Sequence, residues 1–450
     1  MKLPKIDLSE VVATLLARGE PLTAAQLAAA TGKSQPSVSL ALRKLGERVH
    51  RMGAARNTRY ALAQSVDESQ DDVFALNMGW WQQGQSNPRF AQLTYLVGDH
   101  LHIRHPMREW FTHSRLPWFL EPLRPAGFLG RELLRMRPLW NGDPEKLNMR
   151  QILAINASAQ GLFDPPGAIT LSATQWHFGT WPAFSSDEIQ RGHEYDELAE
   201  KIHERLPARS SAGGEQPKFT GHATGHDYVI KFSPPHGTPF GSRWTSLLRL
   251  EMLALDVLHR NGIESANTQL LMSTKRSYLE SQRFDRYLVD QTLYRRHVVS
   301  IRAIHDEFVK GSWTNWLASS EALAKLGLIT QQELQNIASI FAFGHYIGNT
   351  DMHSGNLSFF VDDVITPKIR LAPVYDMLPM MWRPDIHQGV LTDSPVRPQR
   401  MPTGFTAEQA QARLWAIEFW EQAAQLDIGA DLQAASLESA RRLKTNFADL

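Results

Sequence analysis

Asp351 and Asn356 form a D-x-x-x-x-N pattern, and a further acidic residue, Asp376, follows downstream. Carboxylate and amide groups in this order suit phosphoryl transfer, in which the first carboxylate faces the substrate hydroxyl and the other two groups hold magnesium from opposite sides. We therefore predict that Asp351 is the catalytic residue and that Asn356 and Asp376 are magnesium ligands. Asp and Asn are also common in turns and at helix caps, so the pattern alone is weak evidence.

The segments around these residues have the order that such a loop requires. Apolar spacing predicts a helix over residues 334–347, a strand over 357–361 and a second strand over 368–374, with a turn at Asp362 and Asp363. Helix, loop, hairpin and carboxylate in this order are typical of protein kinases. The complete ordered set favours the catalytic interpretation over simple turn residues.

A lysine lies inside a β-rich segment upstream. Lys231 is flanked by strand-forming residues in 227–232, and a lysine in such a place is unusual unless it reaches a charge. Kinases place an ATP-binding lysine on a strand in this way. Glu251 lies in a helix pattern that ends at residues 261–262, where it can pair with Lys231 and hold it in place. For Glu251 a plain surface position is an equally good interpretation.

A segment rich in small residues precedes this strand. Residues 210–218 are Ser-Ser-Ala-Gly-Gly-Glu-Gln-Pro-Lys. Glycines let a backbone approach phosphates closely, and successive N–H groups can bind the anion. The glycine pair is also compatible with an ordinary turn, because the segment matches neither a Walker loop nor G-x-G-x-x-G.

Residues 1–65 have the pattern of a winged helix-turn-helix. Apolar spacing predicts a helix over 6–18, Thr23 and Ser34 are expected to cap two further helices, and 49–62 predicts two short strands. The segment has ten Lys and Arg against four Asp and Glu, a net charge of +6 that suits double-stranded DNA. A protein-interaction domain with a solvated basic face is the alternative. The predicted DNA-binding residues are Ser34, Gln35, Ser37, Ser39, Arg43, Lys44, Arg56 and Arg59.

The composition of the whole chain sets further bounds. Its 450 residues predict two or three domains, and its net charge of zero means that nucleic-acid binding must come from a local patch. The absence of cysteine excludes disulfides, thiolate zinc sites and cysteine nucleophiles. No secretory signal or membrane helix is indicated, so we expect no membrane partner and a cytoplasmic location, with association with the nucleoid through DNA.

Four segments together resemble the HipA family of toxin–antitoxin kinases. They are Ser-x-x-Gly-x-x-x-Lys at 211–218, Arg-Phe-Asp-Arg at 283–286, N-x-D-x-H-x-x-N at 349–356 and Tyr-Asp-Met-Leu at 375–378. Residues 116–123 also resemble the N-terminal subdomain of that family. The resemblance implies a two-lobed, protein-kinase-like domain that uses ATP and Mg²⁺ to phosphorylate Ser or Thr of a protein substrate.

The resemblance also implies roles by position. Asp351 corresponds to the catalytic residue, and Ser211, or the adjacent Ser210, to a serine that the kinase phosphorylates on itself. Gln282 stands where the family usually has glutamate, and residues 300–303 replace a more acidic segment. The implied ATP-binding residues are Ala212, Gly213, Gly214, Glu215, Gln216, Pro217, Lys218, Lys231, Gln282, Arg283, Phe284, His353 and Asn356.

These observations predict an α+β protein of four parts. They are a winged helix-turn-helix over 1–65, a linker over 66–87, a kinase-like N-lobe over 88–290 and a mainly α-helical C-lobe over 291–450. DNA binding in the family normally belongs to a separate antitoxin, so the fused domain would replace or recruit a HipB-like partner. Two alternatives stay open: a DNA-binding transcription regulator with a nucleotide-binding kinase-like domain, and a small-molecule kinase.

Overall fold

The structure is a computed structural model that describes residues 7–66, 74–82, 87–135, 143–158, 164–172, 182–205, 216–289, 292–385, 391–397 and 404–445. The chain divides into two compact units. The first comprises residues 1–125 and 133–179, and the second comprises residues 126–132 and 180–450. No helix in the described ranges is both long and apolar enough to cross a membrane.

The first unit begins with three short helices and a hairpin, as the sequence predicts. The elements are α1 (Leu8–Leu16), α2 (Ala24–Thr31), α3 (Gln35–Lys44), β1 (Val49–Met52) and β2 (Arg59–Leu62). Local side-chain bonds begin each helix. Asp7 accepts from the N–H of Ser9, Thr23 and Gln26 form a capping box, and Ser34 accepts from the N–H of Ser37. The buried side chains between the helices are Val12, Leu16, Leu27, Val38, Ala41, Leu42 and Leu62.

An antiparallel five-stranded sheet makes up most of the remaining first unit. Its strands are β3 (Ala75–Trp80), β4 (Asn87–Leu96), β5 (His100–His105), β6 (Arg108–His113) and β7 (Ile169–Ser172), in the order β6-β5-β4-β3-β7. The helices α4 (Gly127–Arg135) and α5 (Met149–Ser158) lie between β6 and β7 along the chain, and residues 127–132 of α4 belong to the second unit.

Two predicted boundaries are wrong. Residues 66–87 do not form a linker, because they contain β3, an interior strand of the sheet, and Trp80 on that strand is only 2% exposed. The polar and acidic residues at the start of this range indicated a linker, so the strand that follows was not predicted. Residues 88–290 do not form one unit either, because residues 88–125 belong to the first unit and residues 216–289 to the second.

The second unit begins with a helix packed on an antiparallel sheet. These elements are α6 (Glu188–Arg205), β8 (Lys218–Ala223), β9 (His226–Phe232), α7 (Pro239–Arg260), β10 (Thr268–Met272) and β11 (Ser277–Gln282), with the sheet order β10-β11-β9-β8. Thr238 caps α7, and Pro239 occupies its first turn, where a missing N–H costs nothing. The shared core includes Tyr195 and Ile202 of α6 and Phe219, Ile230 and Tyr278 of the sheet.

The rest of the second unit is mainly helical. It contains the hairpin β12 (Arg286–Val289) and β13 (Thr292–Arg295), a three-stranded sheet of β14 (His297–Ser300), β15 (Ser358–Asp363) and β16 (Lys368–Leu371), and the helices α8 (Ile301–Phe308), α9 (Trp316–Lys325), α10 (Gln331–Tyr346), α11 (Thr406–Ala423) and α12 (Ala430–Thr445). The predicted mixed α+β class is confirmed. The strand before the predicted turn is longer than expected, since β15 includes Asp362 and Asp363.

Candidate active site

A buried lysine–glutamate pair joins β9 to α7. Lys231 Nζ lies 2.5 Å from Oε1 of Glu251. The side chains of Lys231 and Glu251 are 7% and 1% exposed, so neither charge has much access to water. A charge this deep is costly unless it is paired. The predicted pairing of these two residues is therefore present, and the surface position for Glu251 is excluded.

Asp376 brings a second carboxylate to the same lysine. Lys231 Nζ donates to Oδ1 of Asp376, which follows β16 along the chain. The backbone of Asp376 has φ 53°, in the left-handed region that few residues other than glycine adopt without strain. Such strain is typical of functional positions, and here it accompanies a carboxylate aimed at the lysine.

The three charges shift one another's pKa values. Burial acts against the charged form of Lys231, but the carboxylates of Asp376 and Glu251 outweigh it and raise the pKa of the lysine. Burial likewise opposes ionisation of Asp376, yet Lys231 and Lys218 hold its pKa well below the ordinary range. For Glu251, burial dominates and raises the pKa. The protonated lysine and the ionised Asp376 are thus the stable forms.

Lys218 adds a second cation beside this cluster. It lies directly opposite Lys231 in the antiparallel pairing of β8 and β9, so both side chains project from the same face of the sheet. Its positive charge helps to lower the pKa of Asp376 and partly opposes the effect of burial on the pKa of Glu251. The two lysines thus balance the charges of the two carboxylates.

The loop after α10 positions the predicted catalytic residue. Asn349 is 4% exposed, and its Oδ1 accepts from the N–H of Asp351 at 3.0 Å. Asn356 Nδ2 donates to the carbonyl of Asp351 at 2.9 Å. These bonds fix the backbone of Asp351 on both sides, and its side chain is half-buried. Asn349 Nδ2 also lies 3.4 Å from the carbonyl oxygen of Asp376, which links the two acidic residues.

Two aromatic side chains hold the rest of this loop in place. Trp316 Nε1 donates to the carbonyl of His353 at 2.9 Å. The Tyr375 hydroxyl donates to the carbonyl of Gly355 at 2.5 Å and lies 2.7 Å from Ser358 Oγ. Burial raises the pKa of Tyr375, so its hydroxyl keeps the proton that this bond needs.

The oxygen atoms of Asn356 and Asp376 fit a magnesium ion. Asn356 uses its amide nitrogen within the loop, so its oxygen is the atom that can act as a ligand. Within the residues that the structure describes, no three His, Asp or Glu side chains converge as a metal site. Magnesium commonly takes only one or two protein oxygens and fills its other positions with phosphate and water. The donor set therefore suits magnesium bound together with a phosphate ligand.

The predicted adenine-contacting segment is partly engaged elsewhere. The Arg283 guanidinium binds both carboxylate oxygens of Asp285, at 3.0 and 2.9 Å, and Arg286 donates to the same carboxylate at 2.7 Å. All three side chains are less than a tenth exposed. The prediction that Arg283 contacts ATP is therefore not supported for its side chain. Phe284 packs edge-on against Phe360, with 5.8 Å between ring centroids.

The predicted phosphate loop is only partly described. Ser210, Ser211, Ala212, Gly213, Gly214 and Glu215 lie outside the described residues. Gln216 and Pro217 are half-buried, and the carbonyl of Pro217 accepts from the N–H of Phe232 at 3.1 Å. This bond places the end of the loop beside the lysine strand β9. Pro217 and the lysine strand, which follow one another closely in the sequence, are therefore also close in space.

Two sequence matches identify the family of this chain. The HipA-like C-terminal domain model matches residues 210–447. Toxin YjjJ of Escherichia coli (strain K12) is 33% identical over 371 residues, which cover 78% of this chain and 78% of that protein. This chain belongs to the HipA family of toxins.

One solved structure supports the fold of this HipA-family chain. A chain of the Shewanella oneidensis MR-1 complex of HipA, HipB and operator DNA superposes with a TM-score of 0.54 and 15% identity, covering 82% of this chain and 95% of that chain. At this identity the likeness shows the fold alone.

The predicted DNA-binding residues all lie in the first unit of this HipA-family chain. Ser34 caps α3, its Oγ lies 2.9 Å from Ser37 Oγ, and Ser39 is half-buried. Lys44 lies 3.4 Å from a carboxylate oxygen of Asp7. The residues of this set that are exposed are Ser34, Gln35, Ser37, Arg43, Lys44, Arg56 and Arg59.

Three residues that organise the site were not assigned from the sequence. Asn349 and Tyr375 lie within the quoted motifs, so their positions were visible but their hydrogen-bond partners were not. Trp316 lies far from the loop in sequence, and no local pattern connects it with His353.

Proposed function

We propose that this HipA-family toxin is an ATP- and magnesium-dependent serine/threonine protein kinase. The observation that carries the proposal is the buried Lys231 between Glu251 and Asp376, joined through Asn349 to the backbone of Asp351. A permanently charged lysine, an oxygen pair for magnesium and a separate half-exposed carboxylate are the groups that phosphoryl transfer needs.

Each side chain has one task in this proposal. Lys231 would bind the nucleotide phosphates, and Glu251 would hold the lysine in place. Asn356 and Asp376 would bind magnesium, which neutralises charge that develops on the transferred phosphoryl group. Lys218, on the same face of the sheet as Lys231, would add a second contact to phosphate. The proposal gives Phe284 an apolar contact with adenine.

Asp351 would orient the substrate hydroxyl and accept its proton. Its main chain is fixed on both sides by Asn349 and Asn356, whereas its carboxylate is half-exposed. Holding the two reacting groups in line supplies much of the rate enhancement, because little covalent chemistry is left for the protein. A positioned carboxylate contributes roughly 10²- to 10⁴-fold.

Incubation of the purified protein with labelled ATP, magnesium and cell extract tests the proposal. We expect a labelled protein band, and loss of the band in Asp351→Asn and Asp376→Asn, with circular dichroism unchanged. A labelled small molecule would instead support a small-molecule kinase. No transfer by the wild-type protein would support a nucleotide-binding regulator.

Self-phosphorylation is a separate part of the proposal and rests on the family resemblance. A phosphate on Ser211, or on Ser210, would add about −1.5 to −2 charges beside the segment that is proposed to bind ATP phosphates. It would compete for the same N–H donors and weaken ATP binding. Mass spectrometry after incubation with ATP and magnesium should find it. Active protein without phosphate on either serine would contradict it.

The N-terminal helices and hairpin are proposed to form a winged helix that binds double-stranded DNA. The exposed serines at the start of α3 can reach phosphates or base edges, and the arginines of α3 and the hairpin can neutralise phosphates. The Shewanella complex contains HipB and operator DNA. By analogy, a HipB-like antitoxin is a proposed partner here, and a cytoplasmic location is proposed.

A further inference from the structure

The solvent-facing side of α3 carries a large apolar side chain. Leu40 is 57% exposed. The buried residues of the same helix are Val38, Ala41 and Leu42, which pack in the core of the three helices. Because an α-helix turns by about 100° per residue, Leu40 lies roughly 150° around the helix from the middle of that buried set. The packing of α3 therefore fixes Leu40 on the side that faces away from the core.

The surroundings of Leu40 on this face are polar and positively charged. Residues three and four positions before and after a helical residue are its neighbours on the helix surface. For Leu40 these neighbours are Pro36, Ser37, Arg43 and Lys44, and all four are exposed. The apolar side chain thus stands between a serine and a proline on one side and two cations on the other.

This arrangement suits a groove of nucleic acid better than a protein interface. The core of a protein interface is depleted in charged residues and is built from several adjacent apolar or aromatic side chains. Next to Leu40, cations occupy the places that such a cluster would need. In a duplex, phosphates at the edges of a groove can bind Arg43 and Lys44, while the base edges at the bottom face the residue between them. The net charge of +6 over residues 1–65 favours the same partner.

We propose that Leu40 contacts the C5-methyl group of a thymine in the major groove, and that this contact makes the protein prefer thymine at one position of its DNA site. The proposal rests on the DNA-binding function proposed above. The major groove admits an α-helix, and the base pairs present hydrogen-bonding groups there, to which thymine adds a methyl group. Leucine forms no hydrogen bond, so the methyl group is the feature by which it distinguishes one base from another.

Leu40 and its charged neighbours have different tasks in this arrangement. Arg43 and Lys44 bind phosphates, which adds affinity on any sequence. Leu40 adds sequence preference without charge. Burial of one methyl group against an apolar side chain strengthens binding by about threefold to fivefold. At other base pairs the leucine covers donors and acceptors that lose their water without gaining a partner, which disfavours those sequences further.

Replacement of thymine by uracil tests this contact, because uracil lacks only the methyl group. The probe is a duplex that the full-length wild-type protein selects from a random-sequence library, synthesised again with each thymine in turn replaced by uracil. Fluorescence anisotropy measures the affinities. We expect uracil at one position to weaken wild-type binding by about threefold to fivefold. Leu40→Ala should bind the thymine and uracil duplexes equally at that position, with the slope of log K against log salt unchanged, since no charge is removed.

A leucine of matched exposure serves as the control. Leu437 on α12 is 55% exposed, so Leu437→Ala removes the same groups from a surface that has no proposed role in DNA binding, and it should distinguish uracil from thymine as the wild-type protein does. Alanine forms helices at least as well as leucine, so α3 should stay folded in Leu40→Ala, which circular dichroism checks.

Three results would count against these proposals, and they are distinguishable. Equal affinity of the wild-type protein for the thymine and uracil duplexes at every position would overturn the methyl contact. Discrimination that persists in Leu40→Ala would assign it to the DNA itself, and would leave a protein partner as the occupant of this face. A wild-type protein that binds no duplex at low salt would instead overturn the DNA-binding function.

Discussion

Two ion pairs, one in each unit, differ in their exposure to water. In the second unit Lys231 pairs with Glu251 at what we call the lysine site, and in the first unit Lys44 of α3 pairs with Asp7 before α1 on what we call the exposed face. Lys231 and Glu251 are 7% and 1% exposed, whereas Lys44 and Asp7 are 58% and 49% exposed. In the buried site each charge depends on its partner, because water cannot replace it. On the exposed face each charge is screened and acts almost independently. The buried ion pair of the lysine site therefore fixes the positions of its side chains, whereas the charges of the exposed face contribute independently to the attraction of a charged ligand.

The largest expected effect comes from removing the central cation of the buried site. Lys231→Met leaves the carboxylates of Glu251 and Asp376 side by side without their shared partner. Breaking a buried pair in this way costs roughly 3–5 kcal/mol. Denaturant unfolding of full-length protein should show the loss.

A double variant is the control for this loss. In Lys231→Met with Glu251→Leu, the fully buried carboxylate is gone and only Asp376, whose side chain is 26% exposed, lacks its lysine. Part of the stability should therefore return although phosphoryl transfer stays absent. If the single variant were as stable as the wild-type protein, the lysine site would not be desolvated and the contrast with the exposed face would fail.

The next effect concerns placement within the site. Asn349→Ala removes the bond to the N–H of Asp351 and the contact with the carbonyl of Asp376. Because the catalytic carboxylate would lose its fixed backbone, we expect kcat to fall by about 10- to 100-fold with KM for ATP little changed. Steady-state kinetics measures both.

Two comparisons make the Asn349 result specific. Asn349→Asp keeps an acceptor for Asp351 but loses the donor to Asp376, so its kcat should lie between those of Asn349→Ala and the wild-type protein. Thr350→Ala alters an exposed neighbour and should leave kcat unchanged. A kcat for Asn349→Ala equal to that of Thr350→Ala would show that Asn349 has no positioning role.

The exposed arginines of the hairpin β1–β2 should also respond additively to charge removal. Arg56→Gln and Arg59→Gln should each reduce the slope of log K against log salt by about 0.9, and together by about twice that value, if each arginine contacts one phosphate. Fluorescence anisotropy of a labelled duplex with full-length protein measures the slope. Arg441→Gln, an exposed arginine on α12, is the control and should change nothing. A double variant whose slope matches either single variant would contradict independent contacts.

The two regions also differ in how much of them the sequence predicted. Helices α1–α3 were predictable because local bonds begin them, as in the capping box of Thr23 and Gln26. The pairing of Lys231 with Glu251 was predictable because strand and helix are adjacent along the chain. The bond from Trp316 to His353 was not predictable, since partners that are distant in sequence leave no periodic signal.

Charge-rich segments misled the sequence prediction in two places. The acidic start of residues 66–87 indicated a linker, although hydrogen bonds to β4 and β7 make its second half an interior strand. Arg283 was expected to contact ATP because it lies in a family motif, yet Asp285 two residues later binds its guanidinium. In the first case strand pairing decided the role, and in the second a carboxylate two residues away occupies the arginine side chain.

The smallest effect on stability should come from the exposed ion pair itself. Lys44→Gln breaks the contact with Asp7, but both side chains are about half-exposed, so water and salt already weaken their attraction and the midpoint of unfolding should not move. Asp7→Ala should lower the midpoint, because Asp7 also accepts from the N–H of Ser9 and begins α1. Lys44→Gln should nonetheless weaken DNA binding, since it removes a cation from the end of α3. Denaturant unfolding and DNA titration of the same two variants would separate the two roles, and a clear stability loss in Lys44→Gln would show that this exposed pair behaves like the buried one.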